Sequence, residues 1–118
     1  MKYVAMLFDK NNDTTFVFRF ASDTSDQAMA SLETSYPKEK GYDSSLLVSE
    51  EFFNNGVLRL TLFDRDTKER RYWDGVSFWT PNPNQAKYYL GLNFESIKIP
   101  PHPKNYNEIL VWQFIPLR

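Results

Sequence analysis

The sequence predicts a single α+β domain spanning residues 1–118, with a mostly antiparallel sheet of six or seven strands built from hairpins. Three observations lead there. Short apolar segments of alternating pattern are separated by turn-forming clusters, as hairpins require. One capped segment, about 24–36, has apolar residues at helical spacing, and a second, shorter helix is expected at about 84–90. No repeat, linker or low-complexity block divides the chain.

The first hairpin joins Lys2–Phe8 to Thr15–Phe20 through Asp9-Lys10-Asn11-Asn12-Asp13, a run of turn formers. Both faces of the first strand are apolar, which marks a central strand covered on both sides. In the second strand Phe16, Phe18 and Phe20 share one face. Thr24, with Gln27 three residues later, has capping-box spacing, and Ala28, Met29, Leu32 and Tyr36 follow as one apolar stripe until Pro37. After a charged loop holding Gly41, Ser45–Phe53 reads as a strand. Asn54-Asn55-Gly56 then turns the chain into Val57–Phe63, so that 45–63 forms a second hairpin. Leu58, Leu60 and Leu62 lie on one face of that last strand.

A third hairpin is expected where Glu69–Trp73 and Val76–Trp79 flank Asp74-Gly75. Asn84 caps the short helix, which carries Ala86, Tyr89 and Leu90 and ends at Gly91. Asn93–Ile99 reads as an edge strand, the proline-rich run Pro100-Pro101-His102-Pro103 as a rigid connector, and Ile109–Ile115 as a closing apolar strand. The core is expected to contain Met6, Phe16, Phe18, Leu32, Leu58, Leu60, Val111 and Phe114.

Composition narrows the chemistry. Fourteen Lys and Arg nearly balance fifteen Asp and Glu, so no global field draws the chain to duplex nucleic acid or an anionic membrane. No cysteine and one histidine remove thiolate nucleophiles, disulfides and the common zinc sites. Charge is uneven along the chain: residues 9–51 hold nine acids and four bases, residues 52–118 six acids and nine bases. If the fold keeps these halves apart, the molecule has an acidic and a basic side.

Individual motifs add little catalysis. Asp9–Asp13 starts like a calcium loop, but Thr14 stands where the sharp glycine turn belongs and Phe20 where the closing glutamate belongs. Glu50 and Glu51 are adjacent, so on a strand they point to opposite faces and do not pair as acid and base. The four glycines are isolated, which removes the usual phosphate cradles. His102, flanked by prolines, reads as part of the connector rather than as a base.

The most unusual feature is the third hairpin, where Arg70, Arg71, Tyr72, Trp73, Phe78 and Trp79 lie close together. Aromatic rings and guanidinium groups are enriched at binding hot spots, although cross-strand packing uses the same rings. Arg71-Tyr72-Trp73-Asp74-Gly75 followed by Trp79-Thr80 resembles the hairpin of a short bacterial domain of unknown function, a likeness that implies no activity.

The expected function is that of a small, non-enzymatic, cytoplasmic protein-binding module: an accessory subunit, inhibitor or immunity-type partner that docks through those six residues. A second reading uses the same hairpin to bind a small molecule, a carbohydrate or single-stranded nucleic acid. A third is a small enzyme relying on Tyr, Arg and carboxylates. No catalytic residue, cofactor or metal ligand is assigned, the expected partner is another protein rather than a membrane or duplex, and the oligomeric state is left open.

Overall fold

The computed structural model describes residues 1–100 and 107–117. In chain order its elements are β1 (Lys2–Asp9), β2 (Thr14–Ala21), α1 (Ser25–Ser35), β3 (Tyr42–Ser49), α2 (Glu50–Asn54), β4 (Gly56–Asp64), β5 (Arg70–Trp73), β6 (Trp79–Thr80), β7 (Tyr89–Leu90), β8 (Ser96–Lys98) and β9 (Glu108–Pro116). Of the proline-rich connector, Pro100 is buried, while Pro101, His102 and Pro103 lie outside the described residues.

The α+β class holds, and the strands are antiparallel, but they form two sheets rather than one. The first has the order β3-β1-β2-β8; in the second β4 is central, with β9 along one side and β5 and β7 along the other, and β6 beyond β5. The described residues hold nine strand segments where six or seven were expected: β6 is the shortened second strand of the third hairpin, and β7, a two-residue pairing too short to leave a periodic signal, falls where a helix was expected.

β1 and β2 form the expected hairpin, whose turn is held by the Asp9 carboxylate: it accepts the Asn11 N–H at 3.0 Å and the Asn12 side-chain amide at 2.7 Å. β1 is central, and Tyr3 to Leu7 are all buried. Its two faces meet different partners. Ala5 and Leu7 join Phe16, Phe18, Phe20 and Leu47 beneath α1, whereas Val4 and Met6 face the second sheet with Phe53, Leu58 and Phe94.

α1 begins where the Thr24 hydroxyl accepts the Gln27 N–H at 3.2 Å, and Pro37 follows its end. Ala28 and Leu32 are buried and Tyr36 packs beside them, but Met29 is exposed. Ala28, Leu32 and Tyr36 repeat every four residues along one line, while Met29 is turned about 100° away.

The expected 45–63 hairpin is corrected: β3 pairs with β1 and β4 belongs to the other sheet. Ser49 accepts the Phe52 N–H at 3.2 Å, so Glu50 and Glu51 open a short helix where a strand was expected to continue. A serine cap and two acids in the first turn favour this start. α2 carries the chain from one sheet to the other.

In the second sheet Leu58, Leu60 and Leu62 face the interior as expected. Val111 does not, being 37% exposed opposite Thr61, whereas Phe114 packs against the core. Residues three apart on a strand point to opposite faces, so these two never shared one. The short helix expected at 84–90 is also corrected. Asn82 caps a single 3₁₀ turn at Pro83–Gln85, the chain then extends as β7 against β4, and a second 3₁₀ turn follows at Gly91–Asn93. Tyr89 is drawn into extended pairing because its ring meets Phe94 and Trp112 edge-on between the sheets.

The charge asymmetry along the chain is partly kept between the sheets. In the first sheet β2, β3 and the covering α1 come from the acidic segment 9–51, while β1 lies almost wholly before it and β8 after it, and the second sheet comes from the basic segment.

Candidate docking site

β5 and β6 form the third hairpin, and strand alternation divides its rings between two faces. Trp73 is buried and Trp79 half-buried at the inter-sheet core, their ring centroids 5.4 Å apart, in contact with the cluster around Leu60 and Ile99. Tyr72 is buried on the opposite face, under the Arg59 guanidinium at 4.6 Å. Arg59 is itself held, donating from Nε to the Gln113 side-chain oxygen at 2.7 Å and from Nη1 to the Tyr88 hydroxyl at 3.2 Å. Thr61 donates to the same Gln113 oxygen at 2.9 Å, which completes a polar layer over Tyr72.

The expected single aromatic and arginine surface is therefore divided. Arg70 is exposed with its guanidinium 5.2 Å over Phe63. Arg71 is exposed and lines a small cavity with Leu62, Asp64, Glu69 and Glu108. Both arginines occupy the end of β5 away from its loop, and only Phe78 among the six projects from that loop.

The loop itself is built by Asp74. One carboxylate oxygen accepts the backbone N–H groups of Val76 at 2.8 Å, Ser77 at 3.0 Å and Phe78 at 3.1 Å, while the Asp74 N–H donates to the Phe78 carbonyl at 3.1 Å. Gly75 takes φ +90°, a left-handed conformation that a side chain resists. The Lys87 stem runs past Gly75, and the Lys87 N–H donates to the Trp73 carbonyl at 2.8 Å, anchoring the loop from below. Held this way, Val76 is 81% exposed and Phe78 58% exposed at the tip. Val76 was not singled out in the sequence, where it read as a strand residue; the signal was Asp74, which is followed by donors two, three and four residues on.

Backbone hydrogen bonds, with Val76 the largest contributor, hold the Asp74 carboxyl below the ordinary aspartate value of 3.8. Burial pushes the Tyr89 phenol up, and the Asp74 charge adds to that shift. Because Asp74 is depressed in the folded state, its contribution is fully present above the ordinary value and is lost as pH falls through the folded one. Acidification into that range is expected to lower the protection of the Val76, Ser77 and Phe78 amides, relative to their intrinsic exchange rates, ahead of the β4 amides, with Asp74→Ala poorly protected at every pH. Equal protection of the loop in wild type and variant would refute the role of the carboxylate.

Comparison with protein-family models, with curated proteins and with solved structures finds no match. Among the described residues no helix is long and apolar enough to cross a membrane.

Proposed function

We propose that the chain is a non-enzymatic docking protein that inserts the Val76–Phe78 tip into an apolar pocket of a cytoplasmic partner protein. The observation that carries this reading is the three-donor Asp74 turn: it fixes in advance a loop whose two apolar side chains face solvent. A presented ring on a pre-ordered loop loses little conformational entropy on binding, the condition under which a small contact becomes a strong one. The carbohydrate and single-strand readings depend on open stacking platforms, and Tyr72 and Trp73 are buried.

Installing a photoreactive benzophenone side chain at Ser77 and irradiating cells of the source organism is expected to yield one discrete protein adduct. Adding Phe78→Ser should remove it while the melting temperature stays near wild type, since both sites are exposed. Adducts to nucleic acid or glycan alone, or a protein adduct indifferent to Phe78, would refute docking through the tip.

A further inference from the structure

Among the described residues five strands pair on one side only, β3 and β8 in the first sheet and β6, β7 and β9 in the second, and four of them are guarded against further pairing. β3 carries a register irregularity opposite Met6 and Leu7, with Ser44 and Ser45 exposed there. β8 is three residues long and ends in Lys98, and β6 and β7 are two residues long. Bulges, brevity and lysine are the devices by which edges avoid unwanted strands.

β9 has none of them. It runs for nine residues, pairs with β4 along its full length, and among the described residues nothing pairs with its other side. From Ile109 to Ile115 it contains no charge, glycine or proline. Ile109 and Val111 are each 37% exposed on the uncovered face of the sheet. Such an edge is a template for another strand.

The pattern of β9 also matches its own reverse. With Trp112 on a two-fold axis, an antiparallel copy sets Ile109 opposite Ile115, Leu110 opposite Phe114 and Val111 opposite Gln113, so each residue meets one from the same face. Glu108, the only charge in the strand, falls opposite Pro116 rather than another carboxylate. We propose that the protein forms a two-fold dimer in which β9 pairs antiparallel with β9 of a second copy, joining the two five-stranded sheets into one. A heterologous peptide would gain the same backbone bonds, but a register that sets Ile109 against Ile115 and Leu110 against Phe114, with no charge facing a charge, is supplied by this chain itself.

Light scattering and sedimentation of the full chain over a concentration series test the proposal. Wild type is expected to reach the dimer mass, and Val111→Lys to raise the dissociation constant about tenfold or more at unchanged circular dichroism, because a lysine guards an edge. The chain has no cysteine, so engineered thiols report geometry cleanly. Mixing Val111→Cys with Gln113→Cys chains under oxidation should give a covalent heterodimer, and Ser44→Cys on β3 should not. A chain that stays monomeric at every concentration, whether or not it captures some other protein, overturns the proposal; so does a dimer that ignores Val111→Lys or cross-links through Ser44→Cys.

Discussion

Phe53→Ala is expected to lower the unfolding free energy by about 3–5 kcal/mol, the range for deleting a buried phenylalanine. Phe53 is 0% exposed and sits on α2, the segment that carries the chain between sheets. Its ring stacks on Phe114 of β9 at 5.6 Å, packs in the cluster with Val4 and Met6 of β1 and Leu58 of β4, and lies 5.6 Å from the Arg19 guanidinium. Truncation opens a cavity that both sheets line, and the paired backbones around it cannot collapse to fill it. Phe52, its neighbour on the same helix, is 45% exposed, so Phe52→Ala supplies the control. Urea denaturation of the two variants should separate them widely; equal losses would show that α2 does not bind the sheets through Phe53.

Gly91→Ala is expected to be of comparable severity, about 3 kcal/mol or more, at the upper end of overpacking costs. A methyl group there would stand 2.0 Å from the Phe53 carbonyl oxygen and 3.3 Å from that of Gly56. Both obstacles are backbone, so no rotamer change relieves them. Moving the 3₁₀ turn outward would also stretch the bond in which Arg19 Nη2 donates to the Gly91 carbonyl at 3.0 Å. The same denaturation experiment reads the effect, and near-wild-type stability would mean that the close approach of this turn to α2 is dispensable.

The strands with long, clean alternation were legible without coordinates. Phe16, Phe18 and Phe20 beneath a helix capped by Thr24, and Leu58, Leu60 and Leu62 facing inward, follow directly from periods of 2 and 3.6. The second sheet was hidden because the decision rests on five residues: Phe52 and Phe53 favour strands in isolation, and only the Ser49 cap with two acids behind it favours the helix. The site was half legible. Its hairpin and Asp74-Gly75 turn could be read from the residues, but whether Tyr72 met solvent depended on Arg59, Tyr88 and Gln113, which come from distant parts of the chain.

The pairing of β4 with β9 carries a kinetic consequence. Thr61 and Gln113 are 52 residues apart in sequence, whereas β1, β2, α1 and β3 are contiguous and assemble from local connections. Synthesis proceeds from the N-terminus, so the α1-covered layer can condense while β4 still waits for its long partner. During that interval the Leu58, Leu60 and Leu62 strand carries two open sides, and closing so distant a contact is the slow, entropy-limited step of a β-rich chain. Folding of this protein is thus expected in two phases, with protection of the β4 amides acquired last and slowed selectively by changes in β9.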